Sequence, residues 1–139
     1  MAQSINEVMT HDPRTVEASA TLVEAARAMK EADAGAIIVT EDDGVAGIIT
    51  DRDIVVRAVA AGQDPTSATV GDICSRDVTS LTPESSVDEA IQIVRNEAVR
   101  RIPVVQDGRP VGIVSIADLA LERDEDSALA EIAAAPSNN

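Results

Sequence analysis

The sequence predicts an α/β fold made of two β-α-β-β-α motifs packed sheet to sheet as one pseudo-two-fold module. Three observations predict it. The chain repeats itself at a constant spacing, and each copy passes from strand-like to helix-like apolar periodicity and back. Neither copy is long enough to cover both faces of a sheet by itself.

The repeat is the firmest of the three. Gly47-Ile48-Ile49-Thr50-Asp51-Arg52-Asp53 returns as Gly112-Ile113-Val114-Ser115-Ile116-Ala117-Asp118, an offset of 65 (112 − 47). The same offset pairs Asp12 with Asp77, Glu24 with Glu89, Ala25 with Ala90, Ile37 with Ile102, Val39 with Val104 and Asp42 with Asp107. No gap is needed from Val8 to Val55.

Each copy opens on a short extended piece, Arg14-Thr15-Val16 in one and Val78-Thr79-Ser80-Leu81 in the other. An amphipathic helix follows, with Leu22, Ala25, Ala26 and Met29, and then Val87, Ile91 and Val94, at helical spacing. Thr21 with Glu24, and Ser86 with Glu89, have the spacing of capping boxes. Ala36-Ile37-Ile38-Val39-Thr40 and Ile102-Pro103-Val104-Val105 have the length and character of buried strands. Asp42-Asp43-Gly44 and Asp107-Gly108 are hairpin signals, leading into strands Val45 to Ile49 and Val111 to Val114. Second helices are expected from Asp51 to Ala61 and from Ile116 to about Leu121. The organisation is therefore motif 1 over 7–61, a linker over 62–69, motif 2 over 70–121 and an acidic, Ala-rich tail over 122–139. The tail is expected to hold a peripheral helix and a frayed end.

Composition bounds the function. Asp+Glu number 25 against Lys+Arg 11, a formal charge of −14, which repels nucleic acid and anionic membranes. A salt-rich cytoplasm and ordinary base-composition bias both produce such a surface. Aromatics are 0%, so no stacking platform for single-stranded bases exists. No apolar run approaches the roughly 20 residues that span a bilayer, and no charged start precedes an apolar stretch, so a cytoplasmic protein without a signal peptide is expected. One Cys and one His build neither a zinc cluster nor a triad, so no metal site is expected. His11-Asp12 reads as a turn, Asp42-Asp43-Gly44 lacks the downstream spacing of a calcium loop, and no phosphate-binding Gly-x-x-x-x-Gly-Lys occurs.

Two copies of a small-residue-rich helix, an apolar strand, a turn and Gly-h-h-[Thr/Ser]-x-x-Asp (h, apolar) resemble the cystathionine-β-synthase (CBS) motif pair, over about Glu7 to Leu121. Thr50-Asp51-Arg52-Asp53-Ile54-Val55, with Ala60-Ala61-Gly62-Gln63-Asp64-Pro65, is similar to stand-alone bacterial CBS-pair proteins. The resemblance implies a regulatory, non-catalytic module that binds an adenosine-containing nucleotide of the AMP, ADP or ATP class. It also implies a homodimer and a separate effector protein, since no catalytic domain is attached. No cofactor is required.

The site residues implied by the resemblance fall into two clefts between the motifs. The first joins Thr50, Arg52 and Asp53 to Val78, Thr79, Val99, Arg100 and Arg101. The second joins Ser115 and Asp118 to Arg14, Thr15, Ala34, Gly35 and Ala36. A hydroxyl at a helix start can cap the helix or bond a phosphate oxygen, and an Asp one turn later can accept a ribose diol. Aliphatic side chains and backbone edges would hold adenine. The first cleft collects three arginines, whose forks suit phosphate, whereas the second keeps only Arg14 and is expected to bind more weakly. Thr50 and Ser115 could instead be plain helix caps, and Arg100 and Arg101 could pair with surface carboxylates. The competing function is a ligand-free interaction scaffold built on a CBS dimer. Apolar residues on the second helices, Ile54, Val55, Val59 and Ala60 with Leu119, Ala120 and Leu121, are the expected dimer surface, unless they face their own core.

Overall fold

The computed structural model describes residues 4–123, which divide into two compact units. One unit is Pro13–Val78; the other combines residues 4–12 with 79–123. The expected peripheral helix and frayed end of the tail lie outside the described residues, as does the end of the 122–139 segment.

In Pro13–Val78 the chain runs β2 (Thr15–Glu17), α1 (Leu22–Ala32), β3 (Ala36–Glu41), β4 (Gly44–Thr50), α2 (Asp51–Asp53) and α3 (Val70–Ile73). β2 pairs with β3 in parallel and β3 with β4 antiparallel, giving the order β2-β3-β4. Helix α1 starts where Thr21 accepts a hydrogen bond from the Glu24 N–H at 3.3 Å and stops where Asp33 turns left-handed, at φ 51°. Leu22, Ala25 and Met29 on its inner face pack with Ile37, Val39 and Ile49 of the sheet. Ala26, expected on that face, is exposed. Helix α2 continues from Ile54 to Val59 with π winding, so the expected second helix is present but changes pitch after one turn.

The other unit contains β1 (Thr10–His11), α4 (Val87–Glu97), β5 (Arg101–Gln106), β6 (Arg109–Ser115) and α5 (Ile116–Arg123). Its sheet order is β1-β6-β5, and its core joins Ile5, Met9 and Leu81 to Val87, Ala90, Ile102, Val104, Val114 and Leu119. Ser86 caps α4 through the Glu89 N–H at 3.1 Å. Of the two expected capping boxes, only this hydroxyl half forms at Thr21 and at Ser86. The extended piece before α4 shrinks to a single parallel bridge, Leu81 to Val104.

Both hairpins close through two left-handed residues, Asp42 and Asp43 in one (φ 54° and 66°), Asp107 and Gly108 in the other (φ 54° and 81°). This is the backbone of a type I′ turn, and it matches the right-handed twist of the strands. Each hairpin then slips register once, between Val39 and Thr40 and between Val104 and Val105.

The division into units exchanges the lead-in segments. Residues 4–12 precede the first motif in sequence, yet Thr10 pairs with Ile113 of β6. Reciprocally Ser75, one repeat period after Thr10, pairs with Ile48 of β4. The hydrogen bonds repeat as well. Ile5 N–H donates to the Ser85 carbonyl at 2.8 Å, and Val70 N–H donates to the Ala20 carbonyl at 2.8 Å. The 62–69 linker is also tied down, because the Leu22 N–H donates to the Ala68 carbonyl and Thr21 bridges Thr69.

Candidate functional site

Each unit brings its Gly-h-h-[Thr/Ser]-x-x-Asp residues to one end of its sheet. In Pro13–Val78, β4 delivers Thr50 to the start of α2. There the Asp53 N–H donates to Thr50 Oγ1 at 3.0 Å, and the Thr50 N–H donates to Asp53 Oδ2 at 2.9 Å. The other unit repeats the box: Asp118 N–H to Ser115 Oγ at 3.1 Å, Ser115 N–H to Asp118 Oδ2 at 3.0 Å. Thr50 and Ser115 are therefore helix caps, and each aspartate returns the bond. In both boxes Oδ2 serves the backbone and Oδ1 is left for other partners. All four residues are half-buried.

Beside each box lies the start of the neighbouring strand. Thr50 sits opposite Ala36, and the Asp51 N–H donates to the Gly35 carbonyl at 3.0 Å. Ser115 sits opposite Arg101, and the Ile116 N–H donates to the Arg100 carbonyl at 2.9 Å. Arg14 and Thr15 come to the same sheet end as Gly35 and Ala36, since the Ile38 N–H donates to the Arg14 carbonyl and Thr15 pairs with Ile38. Of the expected site residues, Pro13–Val78 thus carries Arg14, Thr15, Ala34, Gly35, Ala36, Thr50, Arg52, Asp53 and Val78. The other unit carries Thr79, Val99, Arg100, Arg101, Ser115 and Asp118.

Arg14 and Arg52 lie in Pro13–Val78, and Arg100 and Arg101 in the other unit. Among the described residues no ion pair involves Arg52, Arg100 or Arg101. Arg14, by contrast, reaches Glu31 at 3.5 Å.

Two expected residues behave differently from a free ligand-facing side chain. Thr79 Oγ1 donates to Glu97 Oε1 at 2.6 Å, so its proton is engaged. Val99 packs against the core of its own unit, because the left-handed Ala98 (φ 54°) turns the chain back from α4 toward the sheet. Glu97 was not singled out from the sequence; in so acidic a chain one more glutamate at a helix end carries no signal.

Leu119 is buried in its own core, which removes it from the expected dimer surface. Val55, Val56 and Val59 stand out on the π-wound turn at 57%, 52% and 57% exposure. Among the described residues no group of three metal-binding side chains occurs, and no helix is long and apolar enough to cross a membrane.

The CBS domain family profile matches residues 5–59 and again 70–125. The chain belongs to the CBS-domain family. Hypoxic response protein 1 of Mycobacterium tuberculosis is 42% identical over 101 residues, covering 72% of this chain and 71% of that protein. The CBS domain-containing protein YhcV of Bacillus subtilis is 37% identical over 120 residues, 86% of this chain and 85% of its own. Among solved structures, Hypoxic Response Protein I with two coordinated zinc ions superposes with a TM-score of 0.78 at 36% identity, over 84% of this CBS pair and 96% of that chain. A hexameric CBS-CP12 protein from bloom-forming cyanobacteria gives 0.76 at 32% identity, over 89% and 74%. CBS pairs are generally regulatory rather than catalytic.

Proposed function

We propose that this CBS pair is a regulatory module that takes up an adenosine-containing nucleotide of the AMP, ADP or ATP class and signals its occupancy to a separate effector protein. The observation that carries this reading is the duplicated box. Two half-buried aspartates each hold one oxygen on a backbone N–H and keep the other for a donor pair such as a ribose diol. The unpaired Arg52, Arg100 and Arg101 stand out in a chain of charge −14 and supply forks for phosphate. In Pro13–Val78 the reading assigns Thr50, Arg52 and Asp53 to the ligand; in the other unit it assigns Arg100 and Arg101 to phosphate. Ser115 and Asp118 repeat the diol-accepting box in the other unit, and Arg14 is a weaker phosphate partner, since Glu31 already engages it.

Calorimetric titration of nucleotide-stripped protein with AMP and then ATP tests this. Saturable binding that falls at least about tenfold in Asp53→Ala and in Arg101→Ala is the expected result, on the scale of a lost charge-assisted contact. The absence of Trp and Tyr makes ultraviolet absorbance a clean check that no adenine is retained. No heat from either nucleotide on folded protein would overturn the reading. The exposed Val55, Val56 and Val59 favour the second reading, a ligand-free scaffold that works through self-association.

A further inference from the structure

One difference between the two boxes lies a turn beyond the shared motif. One turn after Asp53 stands Arg57; the residue one repeat period later is Glu122. Arg57 Nε lies 3.9 Å from Asp53 Oδ1, and Arg57 Nη1 donates to the Ile73 carbonyl at 3.1 Å. The separation of 3.9 Å is an ion-pair distance beyond hydrogen-bond reach. The guanidinium is therefore anchored by the carbonyl at the end of α3, and it offers Asp53 charge without occupying a lone pair of Oδ1. Asp53 Oδ2 is fixed by the Thr50 N–H at 2.9 Å. The carboxylate is thus held at one oxygen and compensated at the other, which stays open to accept.

We infer that Arg57 is a positioning residue for ribose recognition by Asp53, and that it makes the Asp53 box the ribose-selective one of the two. This rests on the proposed reading of Asp53 as a ribose acceptor. Without Arg57, Oδ1 would turn toward water and lose its aim at the ribose hydroxyls. Arg57 itself need not touch the ligand.

The test compares AMP with 2′-deoxy-AMP by calorimetry, in the full chain and in Arg57→Met. The unaltered protein is expected to prefer AMP. In Arg57→Met the affinity for AMP should fall about three- to fivefold, the scale of a partly exposed ion pair, while that for 2′-deoxy-AMP stays unchanged. Arg57→Lys, which keeps the charge but cannot hold Ile73 and face Asp53 together, should lie between, and it serves if the Met variant does not fold. An equal loss for both ligands, or no loss for either, overturns the inference and leaves the nucleotide reading standing. No preference in the unaltered protein, or binding insensitive to Asp53→Ala, removes the ribose reading itself and the role of Arg57 with it.

Discussion

At Asp43 a side chain with a Cβ occupies a left-handed position, φ 66°, that Gly108 fills in the other hairpin at φ 81°. Glycine enters that region without steric cost, so Asp43→Gly should raise stability by about 0.5–1 kcal/mol and Gly108→Asp should lower it by a similar amount. Urea unfolding of the two variants checks both signs at once. Cys74 gives a second residue-level expectation. Burial pushes its thiol above the ordinary cysteine range, against the lowering influence of Arg76. The folded state therefore favours the neutral thiol, and stability falls as pH rises beyond the unfolded thiol's own pKa. At neutral pH a maleimide reagent should label Cys74 only as fast as the protein opens; rapid labelling of folded protein would contradict this. The hairpin turns were legible because few residue types accept positive φ, and Asp-Asp-Gly and Asp-Gly are among them. The caps at Thr50 and Ser115 were legible for a similar local reason. Ala98, left-handed with no favouring side chain, was not, and neither was Glu97 beside Thr79.

At the scale of elements the least legible feature is the exchange of lead-ins. Periodicity located both segments, but each repeat carries the same pattern, so a lead-in paired with its own sheet and one paired with the other sheet look identical in sequence. A strand of two residues such as Thr10–His11 has no period of its own. The glycines of the repeated Gly-h-h-[Thr/Ser]-x-x-Asp segment record the answer. A Cβ on Gly47 would collide with the Ser75 carbonyl, which is backbone and cannot swing away. On Gly112 it would first meet the Met9 side chain, which can. Gly47→Ala should therefore cost about 1–3 kcal/mol, and Gly112→Ala less, in the same denaturation assay. Equal costs would mean that the backbone approach at Gly47 does not constrain the fold.

For the whole molecule, the acidic charge and the exposed valines act in opposite directions. A net charge of −14 disfavours the approach of a second copy, whereas Val55, Val56 and Val59 favour it. Association through that turn should strengthen as salt screens the repulsion, and Val59→Asp should abolish it, both read by sedimentation velocity at micromolar protein. A salt-independent dimer that survives Val59→Asp would place self-association elsewhere. The family and the α/β class were legible at this scale because the repeat holds register over most of the chain. What surrounds Leu119 was not, since an apolar helix face looks the same whether it meets its own core or another subunit.

The crossed lead-ins also bear on how the protein is made. As the chain leaves the ribosome, the sheet of Ala36–Thr50 lacks its pairing at Ile48 until Ser75 has emerged. Ile5 and Thr10 emerge well before the segments they pair with, Ser85 and Ile113. Neither unit can be completed from its own repeat alone, so folding cannot finish motif by motif during synthesis, and a chain halted between the repeats would expose apolar surface instead of a finished half.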